Sequence, residues 1–226
     1  MNAFLNYLYP GISLEERLRR AFDDLKTVDE QREGIMTFLR LLESKHPPTY
    51  EHSIRVGLLA GRIARFMHLD ERALLYAGLL HDVGKAQTRL ELLQKTDEWT
   101  LADAIEMNNH VMDGYRLIRD RFGFSAEIIL WHHRFQHVAY PELLPAPLHS
   151  YCEGTRVAIP MYGRLLALAD IFDALHRVNS KHGCDPLTGK QIMEKMLTFN
   201  HDQAGLIQEL FQADIFTTYL VNTAVP

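Results

Sequence analysis

Residues 74–85 read LLYAGLLHDVGK. An apolar run from Leu74 to Leu80 closes on His81 and Asp82, and Gly84 follows. Asp70 can cap a helix that runs to about Asp82, with Leu74, Ala77 and Gly78 turned inward. Gly84 suits the helix stop. The helix thus delivers a nitrogen donor and a carboxylate together at its C-terminal end. Such a pair can bind one ion, and the carboxylate can bridge to a second. Taken alone, a His-Asp dipeptide reads better as a plain helix terminus.

The flanking sequence keeps the same helical period. Upstream, Ile54, Leu58, Leu59, Ile63 and Phe66 mark a helix over 50–67, and His52 lies on its apolar face by the spacing to Val56, Leu59 and Ile63. Earlier still, Ser13 and Glu16 have capping-box spacing ahead of a helix over 13–24. A second helix over 28–45 carries Ile35, Phe38, Leu39 and Leu42, and Pro47-Pro48 ends it. That proline pair is the expected boundary between an N-terminal helical appendage, 1–48, and a main domain, 49–226.

Downstream, Thr100 should cap a helix through about Arg119, and Ser125 another that includes Ile128, Ile129 and His132-His133. Pro141, Pro145 and Pro147 make 134–159 a long loop. Pro160 is expected to begin a helix through about Arg177. Gly183, Asp185 and Pro186 suggest a turn, and helices from Thr188 complete the chain. No segment alternates like a strand, so the predicted class is all-α.

Composition narrows the function. The 226 residues are 47% hydrophobic and 23% charged, ordinary for a globular protein and unlike a disordered one. No run reaches the roughly 18–20 apolar residues of a membrane span. The start, MNAFLNYLYPGISLEE, has neither a basic n-region nor a long apolar core, so no signal peptide is expected. Net charge is −5 without a long basic block, which argues against a dedicated DNA or RNA surface. Cys152 and Cys184 form no CxxC pair, which argues against a zinc knuckle and a disulfide framework, and points to a reducing, cytoplasmic setting. Histidine, with 12 copies, is the unusual residue.

Five of those histidines fall in order with two aspartates: His52, His81-Asp82, His110, His132-His133, Asp170. Asp170 sits in LLALADIFDAL, where a buried carboxylate would be costly unless paired or metal-bound. Asp173, three residues on, reads as a helix-surface group or as one that supports a ligand from behind.

In this order, and in the segments EHSIRVGLLAGRIA (51–64), LLYAGLLHDVGK (74–85), MNNHVMDGYRLI (107–118), IILWHHRF (128–135) and AIPMYGRLLALADIFDAL (158–175), the chain resembles the HD superfamily of metal-dependent phosphohydrolases. It looks most like the HD-GYP branch of cyclic di-GMP phosphodiesterases. The resemblance implies an HD-domain helical bundle. It also implies two divalent transition-metal ions, Fe or Mn first, with Zn, Ni or Co possible. His52, His81, Asp82 and Asp170 would hold one ion. Asp82, His110, His132 and His133 would hold the other, with Asp82 bridging. The site keeps a net positive charge for an anionic phosphate and delivers a metal-bound hydroxide. Lys85 would meet charge developing on the phosphate. Arg134 and Tyr140 would touch the substrate.

Several positions depart from the branch. Arg134 replaces an acidic residue, and Ala139-Tyr140-Pro141 stands for Gly-Tyr-Pro. An insertion over 142–157 follows. Pro48 stands where some relatives place a third-metal glutamate, and HRVNSKHG replaces an Arg-Pro-Tyr element. The ligand pattern therefore implies hydrolysis of a cyclic dinucleotide, while the altered loops leave open a nucleotidase or phosphomonoesterase, or a nucleotide-binding signalling adaptor. A homo-oligomer is compatible with the N-terminal helices.

Overall fold

The computed structural model describes residues 12–176 and 187–216. The turn expected at 183–186, Cys184 and all but the first residue of HRVNSKHG lie outside the described residues. Among those described, every regular element is helical. None of the helices among the described residues is long and apolar enough to cross a membrane.

Helices α1 (Leu14–Asp24) and α2 (Asp29–Lys45) come first. Ser13 caps α1 by accepting from the Glu16 amide. Leu18, Phe22, Ile35 and Leu39 are buried in the same core as the helices that follow. The proline pair both ends α2 and starts α3 (Pro47–Phe66), because His46 is extended and proline needs no partner for a missing N–H in a first turn. The helix therefore begins three residues before the predicted start.

Helix α3 is central, with its residues from His52 to Ala64 buried almost without a break. Against it packs α4 (Glu71–Leu80), capped by the Asp70 side chain as expected. Their backbones nearly touch. A Cβ on Gly78 would stand 2.6 Å from the Gly57 Cα, so only glycines permit this crossing. The close approach sets His52 beside His81, with ring centroids 5.2 Å apart.

A 3-10 turn, Val83–Ala86, follows the His-Asp pair and holds Gly84. Gly84 is not simply a helix stop. A Cβ there would overlap the His110 carbonyl and lie 2.5 Å from the Gly114 amide nitrogen. It exists so that α7 can lie directly on the turn.

After the short α5 (Leu90–Leu93), the single helix predicted from Thr100 to Arg119 is two: α6 (Leu101–Asn108) and α7 (His110–Ile118). Thr100 caps α6 with a full capping box to Asp103. The break at Asn109 redirects the chain so that α7, unlike α6, buries a face. Helix α8 (Gly123–Ile129) begins before Ser125, which is buried inside it and is not its cap. Phe122, anchored in the core, takes the cap position.

Helix α9 (Glu153–His176) contains Pro160 and does not start at it. The missing N–H frees the Arg156 carbonyl, but that turn is exposed and water can satisfy it. Helix α10 (Gly189–Phe199), capped by Thr188, a 3-10 turn at His201–Gln203 and α11 (Ala204–Gln212) close the described chain.

Candidate metal centre

Three imidazoles reach the site by one device. A helix leaves its last carbonyls without intrahelical partners. His81 follows α4, His110 follows α6 by one residue, and His132 lies in the turn after α8. Each turns its ring back onto the helix it follows. Nδ1 of His81 meets the Gly78 carbonyl at 2.7 Å, Nδ1 of His110 the Met107 carbonyl at 2.6 Å, and Nδ1 of His132 the Ile129 carbonyl at 2.6 Å. A carbonyl only accepts, so Nδ1 holds the proton and Nε2 keeps its lone pair. Those three Nε2 atoms face a common centre.

His52 is oriented differently. It sits within α3, and its Nδ1 lies 2.6 Å from Asp173 Oδ2. Asp173 is fully buried and also accepts from Arg55 Nε at 2.7 Å. The surface alternative for Asp173 is thereby corrected. The residue braces His52 from behind, and only its three-residue spacing from Asp170 in an apolar segment hinted at this. The Gln136 side-chain amide lies 2.6 Å from His133 Nδ1. Nothing in the sequence singled out Gln136.

The donors form two groups. His52, His81 and Asp170 bring ligand atoms within 4.8 Å of one another, and so do His110, His132 and His133. Asp82 stands between them. Its Oδ2 is 3.5 Å from Nε2 of both His52 and His81, while its Oδ1 is 3.4 Å from His110 Nε2. His52 Nε2 and Asp170 Oδ1 are 3.1 Å apart. Lys85 reaches in from the less buried side, its Nζ 2.6 Å from Asp82 Oδ2.

Four atoms test whether metal fits here. Nε2 of His81, His110 and His132 and Oδ1 of Asp82 are buried and meet no hydrogen-bond partner. Each such group ordinarily costs about 1–3 kcal/mol. Lone pairs converging on lone pairs make sense around a cation, and the residues fit one.

The electrostatics agree. Burial keeps four of the five imidazoles of the cluster neutral near pH 7: it lowers His110 to about 4 and His132 to about 3, and also lowers His81 and His133. Burial would raise the Asp82 carboxyl, but His81 and Lys85 outweigh it and hold it well below the usual range. Asp170 is held low against its burial by the hydrogen bond and charge of His52. Neutral imidazoles and ionised carboxylates are the states that ligate divalent metals.

Tyr140 stacks on His133 with ring centroids 4.4 Å apart, and burial pushes its phenol upward, so it stays protonated. Arg134, expected at the substrate, donates to the backbone carbonyls of Pro141 and Glu142. It fastens the loop that carries Tyr140.

Residues 49–175 match the HD domain. The chain belongs to the HD domain family. Its curated relatives include a cyclic di-GMP phosphodiesterase response regulator, RpfG, of Xanthomonas campestris, 31% identical over 73% of this chain and 43% of the relative. A 3'3'-cGAMP-specific phosphodiesterase 1 of Vibrio cholerae is 27% identical over 72% of this chain and 37% of its own. This HD domain chain thus spans less than half the length of these relatives. Among solved structures, the HD domain of the L. monocytogenes phosphodiesterase PgpH, in complex with cyclic-di-AMP, shares the fold. Its TM-score is 0.57 at 18% identity, covering 82% of this chain and 94% of that one.

Proposed function

We propose that this HD domain hydrolyses a phosphodiester bond of a cyclic dinucleotide, cyclic di-GMP foremost, at a dinuclear metal centre of the HD-GYP kind. The observation that carries the proposal is the pair of donor groups facing each other across Asp82, with four buried lone-pair atoms turned inward. The names of the curated relatives, cyclic di-GMP and 3'3'-cGAMP phosphodiesterases, support the substrate class.

In this proposal His52, His81 and Asp170 hold one ion, His110, His132 and His133 the other, and Asp82 bridges. An imidazole-rich set with carboxylates suits Fe or Mn, and also Zn, Ni or Co, better than Mg or Ca. Ions bound there supply Lewis-acid charge to the phosphoryl oxygens and acidify water. The protein does the rest. The helix-end carbonyls fix the imidazole tautomers, and Asp173 fixes the ring of His52. Tyr140 covers His133 and limits water on that side. Lys85 stands at the entrance, where a substrate phosphate can exchange with Asp82 as its anionic partner. Pro48, on the exposed first turn of α3, offers no donor for a third ion.

Protein loaded with Mn or Fe should contain close to two ions per chain and convert cyclic di-GMP to the linear dinucleotide or GMP, with activity lost to a chelator. The screen includes 3'3'-cGAMP, linear dinucleotides and nucleoside monophosphates. Preference for a monophosphate would make it a nucleotidase. Full metallation with tight nucleotide binding and no turnover would make it an adaptor.

Two variants separate the supporting groups. Lys85→Ala should lower kcat by roughly 100-fold, the scale of one lost charge-stabilising donor, and leave metal content intact. Loss of metal without a selective fall in kcat would assign Lys85 to the ligand shell. Asp173→Asn should weaken metal binding by about 10–100-fold in competition with a chelating dye, as expected for an outer partner of a ligating histidine. Unchanged affinity would show that Asp173 serves only packing.

A further inference from the structure

A cavity of about 570 Å³ opens beside the metal centre, within the size range of small-molecule sites. His132 belongs to both, since its ring lines the cavity while its Nε2 faces the centre. One wall is the stripe Ala167, Ile171 and Ala174 of α9, and Asp170 lies in the same stretch of that helix. Phe135 from the turn after the histidine pair and Phe199 from the end of α10 also line the cavity. Gln136 lines it too, and its amide touches His133.

The cavity's arginine is not open to a phosphate. Arg164 lines it, but its guanidinium is spent on a two-pronged bond to Asp202, at 2.7 and 3.0 Å, and a third bond to Asn200 at 2.9 Å. The rest of the lining mixes small apolar side chains with the polar groups of Gln136 and Thr198, the imidazoles of His137 and His201, and two phenyl rings; Phe135 already carries the Arg164 guanidinium 5.1 Å from its centroid, which leaves Phe199 as the ring open to stacking. Phe199 leaves 52% of its surface, and Phe135 37%, outside the packed core. A flat, uncharged heteroaromatic group fits such walls, because every base has a π-face to stack on an aromatic side chain.

We propose that this cavity seats a nucleobase of the substrate while the adjoining phosphate lies on the metal centre. The inference rests on the proposed phosphodiesterase activity and deepens it. It makes base recognition a matter of stacking, which tolerates a change of base.

The test compares two full-length, Mn-loaded variants with the parent chain. Phe199→Ala removes an exposed ring, and Thr198→Trp, also exposed, places an indole at the mouth. The probes are cyclic di-GMP and bis(p-nitrophenyl) phosphate, a phosphodiester without a base. The ratio of kcat/KM for cyclic di-GMP to that for the base-free diester should fall about tenfold in Phe199→Ala, the weight of one base stack, chiefly through KM. Thr198→Trp should lower it in the same direction. A ratio unchanged in both variants overturns the base site while leaving the phosphodiesterase standing. If the parent chain cleaves neither probe, calorimetry of cyclic di-GMP binding decides. Binding weakened about tenfold by Phe199→Ala supports the cavity site although the activity fails. Binding that is absent, or equal in parent and variants, overturns it.

Discussion

Replacing Asp82 with alanine should empty both halves of the centre, and turnover should fall by at least about 1,000-fold. No single histidine substitution should cost as much metal. Asp82 turns Oδ2 to His52 and His81 and Oδ1 to His110, so each donor group loses an anionic contact when it goes. Each group then keeps three donors, and the His110 group keeps only neutral imidazoles. The loss of Lewis-acid stabilisation, worth several kcal/mol, sets the size of the rate effect. Lys85 also loses the carboxylate 2.6 Å from its Nζ. The checks are metal content by mass spectrometry and kcat at saturating cyclic di-GMP, with His52→Ala and His110→Ala as comparisons. Those two should each weaken mainly one ion. Near-full metal content in Asp82→Ala would contradict the bridging role.

Gly84→Ala tests the architecture. The new methyl would collide with the carbonyl of His110 and the amide nitrogen of Gly114, both backbone atoms that no rotamer change can move. Helix α7 must shift off the 3-10 turn and take His110 with it. Overpacking of this kind costs about 1–3 kcal/mol or more, which for a chain this size lowers Tm by roughly 5–10 °C. Metal bound by the His110 group should weaken together with stability, although Gly84 ligates nothing. Gly205→Ala is the control, because an added Cβ there meets no atom within 4 Å, and its Tm should hold or rise slightly. Equal melting of the two variants would mean that α7 yields without strain.

The sequence by itself was sufficient for the helical class, since period and caps are local properties. Ser13, Asp70 and Thr100 cap the helices they were expected to cap, and Thr188 caps the helix expected to start with it. It was also sufficient to pick out the residues that the fold brings together, because His52, His81-Asp82, His110, His132-His133 and Asp170 are recognisable by type and order along the chain. The misplaced boundaries have physical causes that local pattern does not contain. Ser125 could cap a helix, but burial of Phe122 starts α8 earlier. Pro160 could start one, but an exposed turn tolerates it inside α9.

What makes the donors a centre was decided only in three dimensions. Which imidazoles share a group depends on the Gly57–Gly78 contact and on Gly84 beneath α7, where two backbones meet from distant parts of the chain. For His81, His110 and His132, which ring nitrogen faces the centre depends on where each helix ends, because a carbonyl of the last turn is there to take the Nδ1 proton. Asp173 reads along the chain as one more carboxylate on a helix. It becomes the support of His52 because α9 packs across α3, 121 residues away in sequence. Residue types can be written in a local code, but the placement and direction of their lone pairs are set by packing.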